Sequence, residues 1–426
     1  MKKKETNYLL FWFGQVVSQL GSAMTGHALT IWAFGQTGSA MTVSLMAFCS
    51  YLPYVLVSIF AGSFVDKHSK KAILILSDTI AALGTASIFF SIHMDLMSIG
   101  QIYIINIIVG FMNAFQSPAS SIVTGLLVPN RNYEKASGLN SFSSNLVTVS
   151  SPVLAGMIMA FGGLRTVLFI DFITFFFAMG TVFFVTIPEP VRLDHNGIKN
   201  PFDGLQEGRA FLQQNKGILY IMLSMALINF FSRLTYENIL TPMILSRSDG
   251  NSTVYGIVNG TLGIGGIIGG ILVTVGRRKK DPLKMIYFST SLSFLLGDLL
   301  MGIGRNLPAW CIAGLAASIP VPFIMAGQSI ILYQTVSVHM QGRIFSIRNA
   351  IQFSTIPVGI LLGGYLADYV FEPFMASDHA AAIMLQKIVG NSSGSGMAVM
   401  FLCTGTLGAI FSCLAYRNKH IRSLKA

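Results

Sequence analysis

The sequence consists of about twelve apolar blocks, each roughly twenty residues long, separated by short polar breaks. An α-helix needs roughly 20 apolar residues to cross the ~30 Å hydrocarbon core of a bilayer, and a chain inside lipid must satisfy its backbone hydrogen bonds internally. With 53% apolar and 11% charged residues in a chain of 426, the composition is not that of a water-soluble domain. We therefore predict an all-α integral membrane protein. The predicted spans are 8–34, 41–65, 72–92, 98–127, 136–160, 165–187, 217–246, 253–276, 283–304, 308–338, 344–370 and 395–416.

The basic residues are distributed unevenly between alternate loops. If the N-terminus is cytoplasmic, the loops on that side carry 23 of the 28 Lys and Arg residues, and Arg165, Arg247, Arg305 and Lys387 fall on the other side. This asymmetry is the positive-inside pattern. We expect a multi-pass protein of the cell membrane with both termini in the cytoplasm. The net charge of +11 then reflects topology and contact with the lipid bilayer, and we expect no nucleic-acid partner.

The chain divides into two similar halves. "FMNAFQS" at 111–117 matches "FIMAGQS" at 323–329 in four of seven positions. We predict an N-terminal six-helix bundle over 1–187, a cytoplasmic linker over 188–216 and a C-terminal six-helix bundle over 217–426. Within the linker, "FDGLQEGRAFLQ" predicts a short amphipathic helix on the membrane surface. Parallel repeats of this kind are how many secondary transporters are built.

Several short motifs resemble those of a known superfamily. "GSFVDKHSKK" at 62–71 resembles the loop motif between the second and third helices of the major facilitator superfamily, with a Gly, an Asp four residues later and a basic cluster. "NAFQSPASS" (113–121), "SSPVLAG" (150–156) and "GGYLADYVFEP" (363–373) resemble its macrolide-efflux-like drug exporter branch. The resemblance implies the major facilitator fold of twelve transmembrane helices in two six-helix bundles, which alternates between inward- and outward-facing states.

The resemblance also implies a conformational latch at the loop motif. In the superfamily the loop Asp, here Asp66, is held near the start of the eleventh helix, where the N-terminal dipole favours a carboxylate. The alternative is a solvated cytoplasmic loop that only obeys the charge rule. The latch residues would be Gly62, Asp66, Lys67, Lys70, Lys71, Asp78 and Arg343.

"SSPVLAG" resembles the antiporter signature of the fifth helix. Pro152 removes a backbone hydrogen bond, and Gly156 permits the close approach of another helix. The alternative is an ordinary kinked and tightly packed helix.

Charged side chains inside the spans are the remaining functional candidates, because a charge near the bilayer centre is costly. Arg233 and Glu237 are four residues apart and would share one helical face. The alternative for this pair is that the two charges only neutralise each other and so tolerate burial. The alternative for His27, a lone histidine, is a packing role. We expect Asp171 to be structural or to act in gating. The candidates for substrate binding or proton coupling are Glu237, Arg233, Asn229, His27, Gln19, Asn113 and Asp298.

Together these features predict a proton-coupled exporter of small amphipathic, drug-like compounds. An uptake symporter or a lipid flippase on the same scaffold is the alternative. A non-transporting membrane sensor or enzyme is a third class, but the sequence shows no nucleophile elbow, metal-ligand cluster or appended soluble domain. We expect no cofactor, no metal and a monomer, with protons and the substrate as partners.

The predicted topology can be tested with reporters fused after Ala426. A reporter that is active only outside the membrane should be silent, because the positive-inside pattern places this end in the cytoplasm. A reporter that is active only in the cytoplasm is the matched control and should be active. The reverse result would overturn the topology.

Overall fold

The computed structural model describes residues 2–128, 133–187, 203–275, 281–336 and 338–425, and helices joined by short turns occupy most of these ranges. The helices are α1 (Lys2–Thr37), α2 (Ala40–Lys67), α3 (Lys70–His93), α4 (Ile99–Leu127), α5 (Tyr133–Phe184), α6 (Asp203–Gln214), α7 (Lys216–Thr235), α8 (Leu240–Arg247), α9 (Ser252–Val275), α10 (Pro282–Leu292), α11 (Leu299–Ile303), α12 (Leu307–Ser318), α13 (Val321–Thr335), α14 (Val338–Leu366), α15 (Glu372–Met375), α16 (Ala380–Val389), α17 (Ser395–Arg417) and α18 (Lys419–Arg422). A π-helical turn, Ser293–Asp298, joins α10 to α11, and another, Ala367–Phe371, joins α14 to α15.

The predicted membrane spans are present as helices. Within the described ranges, ten helical stretches are long and apolar enough to cross a bilayer. One of them, Leu139–Phe184, holds two predicted spans, because Gly163 breaks α5 at φ 67°, a conformation that favours glycine. The 36 residues of α1 are long enough for a further span, although they include Gln15, Gln19 and His27. The predicted all-α membrane architecture is confirmed.

Short helices also lie outside the predicted spans. The short helix predicted within the linker is observed as α6, and its position on the membrane surface stays a prediction. Helices α15 and α16 occupy a stretch in which we predicted no element. Two arginines hold the carboxyl end of α16: Arg247 donates to the carbonyl of Val389, and Arg305 Nη2 donates to that of Ile388 at 3.0 Å. Cations at a helix C-terminus are favourable because they meet unpaired carbonyls and the negative end of the dipole.

The chain forms two compact units. Unit 1 consists of Met1–Arg192 and Ser248–Gly260, and unit 2 consists of Leu193–Arg247 and Thr261–Ala426. The first residues of α9 therefore belong to unit 1 and the rest to unit 2. The predicted division into bundles of 1–187 and 217–426 stays a prediction, and residues 188–202 of the predicted linker lie outside the described ranges.

Unit 1 has two buried apolar clusters. One includes Phe11, Leu74 and Val123 and joins α1, α3 and α4 with the second arm of α5, the part that follows Gly163. The other includes Ala28 and Ile102 and joins α1, α4 and both arms of α5 farther along the helices. The polar side chains of the candidate site in this unit lie on the helices that these clusters hold together.

A glycine contact joins α5 to the first turns of α9 within unit 1. A Cβ added to Gly156 would lie 2.3 Å from the carbonyl oxygen of Ser252, and Ser252 Oγ donates to the Gly156 carbonyl at 2.9 Å. A Cβ added to Gly256 would lie 2.6 Å from the carbonyl oxygen of Pro152. The close approach predicted for Gly156 is therefore observed, with α9 as the partner, and its antiporter role stays a prediction.

Substitution of Gly156 by Ala should destabilise the protein. The new methyl group would meet backbone atoms that cannot rotate away, and overpacking of this kind costs about 1–3 kcal/mol. Gly180→Ala is the matched control, because a Cβ there meets nothing within 4 Å. Thermal melting of the purified protein in detergent should show a lower melting temperature for Gly156→Ala alone. Equal melting temperatures for the two variants would contradict the proposed close contact.

Candidate transport site

The seventh span is interrupted in its second half. Helix α7 ends at Thr235, α8 begins at Leu240, and residues 236–239 form a turn between them. Helix α14 packs at this break: a Cβ on Gly363 would lie 2.5 Å from the Leu234 carbonyl oxygen, and Asn238 Nδ2 donates to the Ile360 carbonyl at 2.8 Å. Interrupted membrane helices are common at transporter binding sites, because the break exposes polar groups within the membrane.

Arg233 and Glu237 form an ion pair across the start of this break, between Nη1 and Oε2. Arg233 lies in the last turn of α7 and Glu237 in the turn that follows it. Their i,i+4 contact places both side chains on one face, in agreement with their spacing. Their side chains are 33% and 25% exposed, so the pair is partly accessible. A carboxylate that can lose its cationic partner on protonation can serve as a coupling group. Its role stays a prediction.

Asn229 lies one turn before Arg233 on α7 and contacts Gln352 of α14. Asn229 Nδ2 donates to the Gln352 carbonyl at 3.4 Å, which is a long hydrogen bond. Gln352 itself is buried, and its side-chain nitrogen has no hydrogen-bond partner among the described residues. Asn229 was a sequence candidate, whereas Gln352 was not, since a glutamine in an apolar span gives no indication of its neighbours.

Asp298 is sealed inside unit 2. It is 1% exposed and ends the π-helical turn between α10 and α11. Thr404 Oγ1 of α17 donates to Asp298 Oδ2 at 2.8 Å, and the Tyr236 hydroxyl lies beside the carboxyl group without a well-formed hydrogen bond. Because Tyr236 precedes Glu237, the break in the seventh span contacts a buried acid as well as carrying a partly exposed one.

Asp171 has an equivalent environment in unit 1. Three hydroxyl groups donate to its carboxylate: Ser22 Oγ at 3.3 Å, Thr25 Oγ1 at 3.0 Å and Thr85 Oγ1 at 3.0 Å. The first, third and sixth spans therefore meet at this acid, as the seventh, ninth and twelfth meet at Asp298. The sequence predicted a structural or gating role for Asp171, which stays a prediction, but gave no indication of its three donors.

His27 meets a tyrosine that the sequence did not single out. Its Nδ1 lies 2.6 Å from the Tyr255 hydroxyl, which belongs to the part of α9 in unit 1. The predicted candidates Gln19 and Asn113 are exposed on α1 and α4. Lipid offers no hydrogen-bond partner, so exposed amides in a membrane span favour a surface that contacts water or a polar ligand.

The predicted latch is described only in part. The side chains at 62, 66, 67 and 343 lie outside the described part of the structure. Asp78 is buried and accepts a hydrogen bond from Gln116 Nε2, Lys70 is also buried, and Lys71 Nζ donates to the Phe183 carbonyl at 3.0 Å. These contacts lie within unit 1, and the latch itself stays a prediction.

Comparison with known proteins gives the family. The family model described as a transmembrane secretion effector matches residues 4–393. Macrolide efflux protein A of Streptococcus pyogenes is 29% identical over 85% of this chain and 90% of its own length. The multidrug efflux pump Tap of Mycolicibacterium fortuitum is 21% identical over 84% of this chain and 89% of its own length.

Among solved structures, a bacterial homologue of the iron transporter ferroportin has the same fold, with a TM-score of 0.71 at 12% identity over 97% of this chain and 99% of that one. These relatives are transporters and not enzymes, and they confirm the resemblance read from the motifs. The chain belongs to the transmembrane secretion effector family of the major facilitator superfamily.

Proposed function

We propose that this protein exports small amphipathic, drug-like compounds across the cell membrane in exchange for protons, by alternating access. The observation that carries the proposal is the Arg233–Glu237 ion pair, which is partly exposed at the break of the seventh span in a chain of this transporter family. The printed functions of two relatives, macrolide efflux and multidrug efflux, support export and the substrate class.

The ion pair offers a simple coupling step. When Glu237 is ionised, it is held by Arg233; when it takes up a proton, the pair separates and the guanidinium is left without that partner. The energy suffices, because one proton moving down 100 mV releases roughly 2.3 kcal/mol. A tenfold substrate gradient requires about 1.4 kcal/mol.

Each unit carries polar groups that suit an amphipathic substrate. Asn229 and Gln352 carry amide groups with spare hydrogen-bonding capacity in unit 2, and Gln19 and Asn113 are exposed in unit 1. They are few, and most of the surrounding span residues are apolar. Sites for small molecules typically combine apolar walls with a few polar groups that fix orientation.

Glu237→Gln should abolish proton-driven uphill export and leave substrate binding largely intact, because it keeps the shape of the side chain but cannot exchange a proton. The measurement is substrate accumulation in everted vesicles, with and without a protonophore. Asp249→Asn is the matched control, since it neutralises an exposed carboxylate at a positive φ of 52° that Asn tolerates. Uphill rates like those of the unaltered protein would eliminate Glu237 as the coupling group.

The same vesicles separate the alternative functions. An exporter loads everted vesicles, whereas an uptake symporter would load right-side-out vesicles, and a flippase would move a labelled lipid between leaflets.

Arg233→Ala should reduce the folded yield more than Glu237→Gln does, because it leaves an acid in the membrane without its cation.

Asp66→Asn should leave the protein folded and inserted but slow its transport. The substitution removes charge from the proposed latch and removes no apolar contact, so stability should change little. Asp249→Asn again serves as the control. An unchanged transport rate, together with unchanged labelling of engineered cysteines on both membrane faces, would count against the latch.

A further inference from the structure

The buried acid Asp298 of unit 2 has two hydroxyl groups beside it and no cation. It is 1% exposed and ends a π-helical turn, a departure from regular helix that is frequent at functional sites. Tyr236 is the only titratable or charged group that faces it among the described residues of the elements packed against it, which are α10, α11, α12, α17 and the turn 236–239. An ionised carboxyl group sealed in this way, with no cation to pair with, would be costly.

The Thr404 hydroxyl can serve this acid in either protonation state. Its one hydrogen has three acceptors within reach: Asp298 Oδ2 at 2.8 Å, the Met400 carbonyl at 3.1 Å and the Phe401 carbonyl at 3.2 Å. When Asp298 is ionised, the hydroxyl donates to the carboxylate. When Asp298 holds a proton, the hydroxyl can donate to a carbonyl of its own helix, and its lone pairs can accept a hydrogen bond from the acid.

The Tyr236 hydroxyl is the second group beside the acid. It is buried and makes no hydrogen bond with any residue that the structure describes, although it lies next to the Asp298 carboxyl group. The ring meets Phe401 edge-on, with the centroids 5.2 Å apart. A buried hydroxyl without a partner is rare in folded proteins and needs an explanation. Ionisation of Asp298 supplies one, because a carboxylate would draw this hydroxyl into a charge-assisted hydrogen bond.

The two hydroxyl groups differ in how firmly they are held. Thr404 lies within the regular helix α17, which packs tightly on the acid, since a Cβ added to Gly405 would lie 2.9 Å from the Asp298 Cβ. Tyr236 instead lies where α7 ends and the seventh span is interrupted. The next residue is the partly exposed Glu237. A shift of this turn would therefore act on Tyr236 and leave Thr404 in place.

Asp171 of unit 1 provides a contrast. The hydroxyl groups of Ser22, Thr25 and Thr85 all donate to its carboxyl group, and this carboxyl group is their only acceptor among the described residues. A fully satisfied network of this kind rigidifies the structure around it. The network at Asp298 is incomplete, because one hydroxyl has alternative acceptors and the other has none.

We propose that Asp298 is a second proton-binding group of the transport cycle and that Tyr236 is its positioning residue. When the turn shifts, the carboxyl O–H bond breaks and its proton passes to water that enters from the side of Glu237. The Tyr236 hydroxyl then donates a hydrogen bond to the carboxylate and keeps its own proton. This proposal rests on the proton exchange proposed above and extends it to a second acid in contact with the same turn.

Proton binding is measured on the purified, full-length protein reconstituted in lipid. The infrared band of protonated carboxyl groups is recorded over a series of pH values, so that neither substrate nor transport is required. The spectra are taken for the unaltered protein and for Glu237→Gln. We expect a band that is lost reversibly as the pH rises, that is present in both of these proteins and that is absent from Asp298→Asn.

Tyr236→Phe should raise the pH at which half of this band is lost by about one unit, a roughly tenfold tighter hold on the proton, because the ionised acid loses a hydrogen bond to its charge. Thr404→Val should shift this midpoint in the same direction, since it removes the other donor. Tyr287→Phe is the matched control and should leave the midpoint unchanged, because this buried tyrosine of unit 2 contacts Ser224 at 2.7 Å and not Asp298. If Asp298→Asn does not fold, the shift in Thr404→Val identifies the band.

Three results would overturn the proposal. They are an Asp298 band that does not change with pH, equal midpoints in Tyr236→Phe and Tyr287→Phe, or a midpoint shifted by Thr404→Val alone. The first result would make Asp298 a permanently neutral structural group. Normal uphill export by Glu237→Gln, with this band still titrating, would reject Glu237 as the coupling group and still support Asp298 as a proton-binding group.

Discussion

The bilayer is the constraint on which the rest of this structure depends, because it leaves no water to satisfy a buried polar group. The chain meets this constraint at Asp171 and Asp298 in the same way, with hydroxyl groups supplied by other helices. Each acid therefore ties together three spans that are distant in sequence. Those ties hold the apolar helices in register, since apolar surfaces alone attract each other weakly within lipid.

The break in the seventh span shows how the same constraint accommodates function. The backbone N–H groups of Tyr236 and Ile239 still donate to the Ser232 and Thr235 carbonyls. Helix α14 adds the Ile360 carbonyl, which accepts from the Asn238 side chain, and the close approach of Gly363. The supported turn carries Glu237 and Tyr236 at adjacent positions, one toward a partly exposed cation and the other toward a buried acid. A local change at Glu237 would thus act on a segment already in contact with the interior of unit 2.

Hydropathy predicted the spans well, because a run of apolar residues long enough to cross a bilayer has few other uses. Gly163, where α5 breaks, falls in the short gap between the predicted spans 136–160 and 165–187. The interruption after Thr235 was not predicted, although Pro242 of α8 marks it. A proline has no N–H to bond the carbonyl four residues back, here that of Asn238, and it kinks or breaks the helix there. Helix α16 was missed because ten residues are too few for a span. Its arginine contacts come from the end of α8 and from the loop before α12, both distant in sequence.

The candidate site was predictable at the level of single residues and not of their partners. Arg233, Glu237, Asp298 and His27 stand out because charged or titratable groups are rare in the spans. The partner of His27 is Tyr255, 228 positions away, and no spacing rule relates them. Asp171 was assigned a structural or gating role from its place toward the end of a span. Its three hydroxyl donors come from two other helices and could not be predicted. Serine and threonine are common in membrane helices, so nothing in the sequence distinguishes these three.

The two acid networks differ in which helix carries the acid. In unit 1 the Asp lies in the sixth span and a Thr in the third, whereas in unit 2 the Asp lies in the ninth and the Thr in the twelfth. If the halves arose by duplication, the acid has changed helices while the bond between them was retained. Among related sequences, the acid and its hydroxyl partner should then vary together as a pair. An alignment read one column at a time would miss a feature that is preserved only as a combination.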